Sequence, residues 1–111
     1  MAHQVVLITG ALTGIGRATA VAYARKGAKV VVSGRNDDKG QALVAELRAL
    51  NTDTDAEFVR ADVRKEEDIS VLVDKTIARF GRLDVAVNNA GFEGEHGLIQ
   101  DATLEKFQVR P

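Results

Sequence analysis

A doubly wound α/β fold, a parallel sheet covered by helices on both faces, is what this sequence predicts, and three observations carry the prediction. Short β-branched runs without polar interruption alternate with stretches whose apolar residues recur three and four positions apart. Uninterrupted apolar runs mark strands buried on both faces, as parallel strands are. Four strands alternating with helices imply right-handed crossovers, and so a parallel sheet.

The elements follow in order. Val5-Val6-Leu7-Ile8 is the first strand and ends at Thr9-Gly10. From about Gly14 to Lys26 a helix is expected, with the small residues of an Ile15, Ala18 and Ala22 stripe letting it lie close to the sheet. Arg25 and Lys26 suit its last turn, and Gly27 is placed as its stop. Lys29 to Ser33 makes the second strand. After the Gly34-Arg35-Asn36 turn, Asp37 or Asp38 is expected to cap a helix whose apolar face is Leu43, Val44, Leu47 and Leu50.

Asn51 to Asp55 is polar and reads as a loop, and Phe58-Val59 as a brief third strand stopping at Ala61-Asp62. A third helix is expected from about Lys65 to Phe80, carrying Ile69, Leu72, Val73, Thr76, Ile77 and Phe80 at helical offsets. Glu66, Glu67 and Asp68 open it, Arg79 closes it and Gly81 ends it, as the helix dipole favours. Leu83 to Val87 is the fourth strand, running into Asn88-Asn89-Ala90-Gly91. Residues 92–100 read as a Gly-rich loop, and Thr103 as the cap of a helix barely begun at Pro111. The expected strand order is 3-2-1-4.

The 111 residues suffice for one domain, here expected to be incomplete at its C-terminus, and exclude two. With 45% hydrophobic and 28% charged residues the composition is that of a folded chain. Cys is absent, which excludes a disulfide framework and thiolate chemistry and suits a reducing cytosol. Fifteen basic against 16 acidic residues leave no excess to neutralise phosphates, so no nucleic-acid partner is expected. Runs such as Val5 to Ile8 and Val30 to Val32 are too short for a membrane span or a signal-peptide core. A cytoplasmic location and no membrane partner follow as expectations.

Ligands of such sheets sit beyond the carboxyl ends of the strands, here the loops at residues 9–17, 33–36, 61–64 and 88–94. The first contains Thr9-Gly10-Ala11-Leu12-Thr13-Gly14-Ile15-Gly16. Gly10 permits the turn off the strand, Gly14 lets the backbone approach a pyrophosphate, and Gly16 lets the helix pack tightly. Amides at the helix N-terminus, with its partial positive charge, then face the phosphates. The spacing G-x-x-x-G-x-G is one residue longer in its first gap than the common dinucleotide fingerprint, and it lacks the Lys-Ser/Thr ending of a P-loop. Glycines that merely shape a tight connection are the plain alternative.

Thr9 to Gly16, the Asp62-Val63 pair and Asn88-Asn89-Ala90-Gly91 together resemble the short-chain dehydrogenase/reductase family, over essentially the whole chain and in the right order. The resemblance implies a Rossmann-like sheet binding a nicotinamide dinucleotide, and a small alcohol or carbonyl substrate. It implies that Thr9 to Gly16, with Ile15, lie at the pyrophosphate and that Asp62 accepts from the adenine amino group. Val63 would lie beside the adenine, and Asn88, Asn89, Ala90 and Gly91 would brace the sheet near the adenine ribose.

At the end of the second strand an acidic residue would accept from a ribose 2′-hydroxyl, yet this sequence has Ser33-Gly34-Arg35-Asn36. Arg35 offers a planar, permanently charged fork to a 2′-phosphate, so NADP is favoured over NAD. The alternative is that Arg35 is solvated or pairs with Asp37 or Asp38. Thr13 and Asn36 are candidates for added hydroxyl and amide contacts.

The resemblance also implies a catalytic Tyr, a Lys four residues after it that lowers its pKa, a Ser and a relay Asn. The single Tyr is Tyr23, followed four residues later by Gly27, and the serines are Ser33 and Ser70. No catalytic residue is assigned. Glu93, Glu95 and His96 read as a solvated loop rather than a metal site, His3 as a surface residue, and the Arg64 to Asp68 charge run as a helix start facing water without a partner. The expected function is thus the cofactor-binding half of an NADP(H)-dependent oxidoreductase, itself inactive. The alternative is a non-catalytic nucleotide-binding or interaction module that pairs through the open edge at Leu83 to Val87. That edge also leaves a homo-oligomer open.

Overall fold

The computed structural model describes residues 4–12 and 14–89. Its elements run β1 (Val5–Thr9), α1 (Gly14–Arg25), β2 (Lys29–Gly34), α2 (Asp37–Arg48), β3 (Asp55–Arg60), α3 (Glu66–Phe80) and β4 (Val85–Asn88). The four strands form one parallel sheet in the order β3-β2-β1-β4, the order expected from the sequence. Thr9 stands opposite Ser33 on one side and Asn88 on the other, so the strands end level and their following loops share one rim.

Strand periodicity divides the apolar residues between two cores. Val6, Ile8, Val30 and Val32 face α1 and α2, where they meet Ala20, Ala24, Leu43, Val44 and Leu47. Leu7 and Val31 point the other way, toward Leu72 of α3. Each of these large aliphatic side chains, removed from water, contributes about 1.5–3 kcal/mol. All five residues of β1 are buried, as its unbroken apolar run requires.

Several local expectations are corrected. The sheet-facing stripe of α1 is Gly16, Ala20 and Ala24; Ala18 and Ala22 are exposed, and Ile15 is 60% exposed. At about 100° per residue, the stripe is fixed by whichever residue touches β1 first, and that residue is Gly16. Its absent Cβ would lie 2.1 Å from the Gly10 carbonyl oxygen. The cap of α2 is Asn36 rather than Asp37 or Asp38: its Oδ1 accepts from the Lys39 backbone N–H at 3.0 Å. Both aspartates then fall in the first turn, where the dipole favours them.

β3 is longer than Phe58-Val59, beginning at Asp55. Its polar residues are tolerated because β3 lies at the end of the sheet, where one backbone edge pairs with β2 and the side chains reach water. Arg48 and Arg79 bridge to Asp55 from α2 and α3 at 3.1 and 2.6 Å. α3 buries its expected stripe at Leu72 and Thr76, with Val73 and Phe80 packed beside them, and departs from it at Ile77, which is 40% exposed. β4 starts at Val85, not Leu83, because Asp84 turns its side chain onto the start of β1: Oδ2 accepts from the Val5 N–H at 2.8 Å.

Candidate cofactor-binding site

The rim at the carboxyl ends of the strands gathers the sequence-assigned residues. At the end of β1, Gly10 and Gly14 have φ of 62° and 60°, a region other residues rarely adopt. Among the described residues a Cβ on Gly14 would meet nothing within 4 Å, so the backbone there borders space that they leave open, while Gly16 is pressed against Gly10. α1 opens from this loop with no acidic residue in its first turn to neutralise its positive end. The loop is tied across to β2, where the Ala11 N–H donates to the Ser33 carbonyl at 3.2 Å. Leu12, which sequence reasoning passed over, lies against Gly34: a Cβ there would approach Leu12 Cδ1 to 2.5 Å.

The ends of β1 and β4 are joined by Thr9. Its buried hydroxyl donates to Asn88 Oδ1 at 2.6 Å, and its carbonyl accepts from the Asn89 N–H at 3.1 Å. Asn88 and Asn89 are therefore held against the glycine loop. Thr13, Ala90 and Gly91 lie outside the described residues, as do His3, Glu93, Glu95, His96 and Thr103.

Beyond β2, Arg35 is exposed and makes no ion pair among the described residues. Asp37, one of its suggested partners, is instead joined to Arg60 at 3.4 Å. Asn36 has its carbonyl oxygen committed to the α2 cap, which leaves only its amide nitrogen for a ligand.

Beyond β3, the charge run that sequence reasoning left without partners has them. Arg64 reaches back two residues to Asp62, donating from its backbone N–H and Nε to Oδ1, each at 3.0 Å, and from Nη2 to Oδ2 at 2.9 Å. Asp68 accepts the Asp62 N–H at 2.9 Å. The Arg64 side-chain hydrogen bonds, its backbone N–H and the nearby charge of Arg35 hold the Asp62 carboxyl well below the usual carboxylate range. Asp62 is thus a charged acceptor at neutral pH. Its position two residues before an Arg was the available signal for this contact.

The remaining site candidates of the sequence are placed elsewhere. Tyr23 lies in the last third of α1, packed against the α1/α2 core at the end of the helix remote from the glycine loop. A hollow of about 470 Å³ along the flank of β3 and α3, bordered by Val59, Lys75 and Arg79, is separate from the four loops. Among the described residues no group of His, Asp and Glu could hold a metal ion, and no helix is long and apolar enough to cross a membrane.

A family profile described as short chain dehydrogenase matches residues 4–109. The chain belongs to the short chain dehydrogenase family. An L-fucose dehydrogenase of Oryctolagus cuniculus is 41% identical over 107 residues, 96% of this chain and 36% of that protein. The L-sorbose reductase of Gluconobacter frateurii, solved with NADPH and L-sorbose, is 32% identical with a TM-score of 0.76, over 82% of this chain and 34% of that one. An NADH-dependent reductase solved with NAD is 37% identical with a TM-score of 0.71, over 78% of this chain and 35% of that one. The chain spans about a third of the length of these relatives.

Proposed function

We propose that this chain is the dinucleotide-binding part of an NADP(H)-dependent oxidoreductase that interconverts an alcohol and a carbonyl. The observation that carries the choice of cofactor is Arg35, exposed at the end of β2 with no carboxylate paired to it among the described residues. A 2′-phosphate brings two acceptor oxygens that match its fork, whereas a bare 2′-hydroxyl gains little from a cation. The pyrophosphate fits the open backbone at Gly14 and the start of α1, where Ile15 is exposed. Ser33 adds a second sign of fit: its hydroxyl is buried at the rim without a hydrogen-bond partner among the described residues.

Bound there, a nicotinamide dinucleotide supplies or accepts hydride. The chain's own part is to hold and orient it: Gly10, Gly14, Ile15 and Gly16, with Thr13, border the pyrophosphate, and Arg35 and Asn36 border the adenosine phosphate. Asp62 and Val63 border the adenine, and Asn88, Asn89, Ala90 and Gly91 fasten the rim. Their part is to bind and orient, and Tyr23 is packed against the α1/α2 core away from the glycine loop, so the role proposed for this chain is cofactor binding without substrate turnover.

The test is binding of NADP and NAD to the purified chain and to Arg35→Asp. NADP binding tighter than NAD in the wild type, with the preference lost or reversed in the variant, supports the reading. Equal NADP affinity in both proteins removes it.

A second reading has one observation in its favour: among the described residues β4 is paired only with β1, and Val85 and Val87 are only partly buried. On that reading the chain is a nucleotide-binding module that completes its sheet with another chain. A concentration-dependent dimer in sedimentation supports it; a monomer at high concentration argues against it.

A further inference from the structure

The geometry points to Arg64 as a positioning residue that aims the Asp62 carboxylate at the exocyclic amino group of a purine. This rests on the proposed seating of adenine beside Asp62 and Val63. A carboxylate offers about four lone-pair sites. Arg64 takes three: the backbone N–H and Nε both reach Oδ1, and Nη2 reaches Oδ2. One acceptor site is left, on Oδ2.

The rest of the loop prevents Asp62 from turning away. Its N–H is held by Asp68 and its carbonyl accepts from Lys65 N–H at 3.0 Å, so backbone and side chain are fixed from both directions. Arg64 itself is 73% exposed, against 19% for Asp62, so the guanidinium lies on the solvent side of the pair. A single vacant acceptor on an oriented carboxylate selects a donor. An amino group satisfies it, and a carbonyl oxygen in the same place meets a negative charge. A lysine in place of Arg64 would keep the charge and lose the two-pronged grip.

The experiment compares, by calorimetric titration of the purified chain, the dinucleotide that binds tighter, NADP or NAD, with its hypoxanthine analogue, in which a carbonyl replaces the amino group. The wild type is expected to prefer adenine by about tenfold or more, the discrimination a buried polar match provides. Asp62→Ala is expected to abolish the preference. Arg64→Ala is expected to cut it to about threefold or less, with Arg64→Lys between that and the wild type. Each ratio is taken within one protein, so a structural defect that weakens both ligands alike leaves it unchanged. An Arg64→Ala chain that keeps the wild-type ratio while Asp62→Ala loses it overturns the role of Arg64 alone. A wild type that binds both analogues equally, or neither, overturns the adenine seating beneath it as well.

Discussion

Gly16 shows how a single atom sets the geometry of the glycine loop. An added methyl would sit 2.1 Å from the Gly10 carbonyl oxygen, against backbone that cannot rotate aside. Gly16→Ala is therefore expected to destabilise the chain by about 1–3 kcal/mol, read as a lower urea midpoint, and to weaken dinucleotide binding as α1 is pushed off β1. Gly14→Ala differs in kind: the space is open, and the cost lies in the positive φ. At the opposite end of the sheet, Asp84 couples stability to pH. Burial alone would raise its pKa, but hydrogen bonds from Arg82 and the Val5 N–H, with the Arg82 charge, hold it below its ordinary value of 3.8. A carboxyl depressed by folding contributes stability fully above its unfolded pKa and loses it as pH falls through the folded one. Thermal midpoints are accordingly expected to hold above about pH 5 and to fall below pH 4, less steeply in Asp84→Asn. At pH 7 that variant is expected to cost about 1 kcal/mol for the lost charge-assisted bond. The glycines' positions were legible in the sequence because they cluster where a strand gives way to a helix. The Asp84 and Arg64 contacts were not, because a turn's side-chain directions depend on backbone angles that composition does not state.

Among the elements, periodicity located the helices of the described residues and the buried face of α2, at Leu43, Val44 and Leu47, but not that of α1. α1 reads in sequence as Ile15, Ala18 and Ala22 inward, yet it buries Gly16, Ala20 and Ala24. In an alanine-rich helix several faces are equally apolar, and only the close contact at Gly16 chooses among them. α3, with larger residues, keeps its expected face and departs from it at one position. Leu72 is fully buried against Leu7 and Val31, while Ile77, on the same predicted stripe, is 40% exposed. Leu72→Ala is expected to cost about 2–5 kcal/mol in chemical denaturation. Ile77→Lys is expected to change stability by no more than about 0.5 kcal/mol. A large loss from Ile77→Lys would mean that this side of α3 is covered. β3 was foreseen only in its apolar centre, since a strand end bearing Asp55 and Glu57 has no hydrophobic signature. Pairing with β2, and bridges from Arg48 and Arg79, make those residues strand.

For the molecule as a whole, the sheet order ranks its parts by how firmly they are held. β1 and β2 each have a strand on both sides, whereas β3 has one. Amide hydrogen exchange is expected to be slowest in Val6–Ile8 and Val30–Val32 and faster across Asp55–Arg60. Equal protection in β3 would show that its outer edge is covered. The strand order was legible because alternating strands and helices admit few right-handed, uncrossed arrangements. The candidate rim was legible for a related reason, since parallel strands bring all their following loops to one edge. By itself the sequence determined the fold class, the order of elements and the loops that form the candidate rim, because these depend on hydrophobic period and on glycine placement. Only the tertiary structure decided which face of the alanine-rich α1 is buried, that Thr9 fastens Asn88, and that Arg64 grips Asp62. Those outcomes turn on distances of a few ångströms between residues brought together by packing, and no local pattern encodes them.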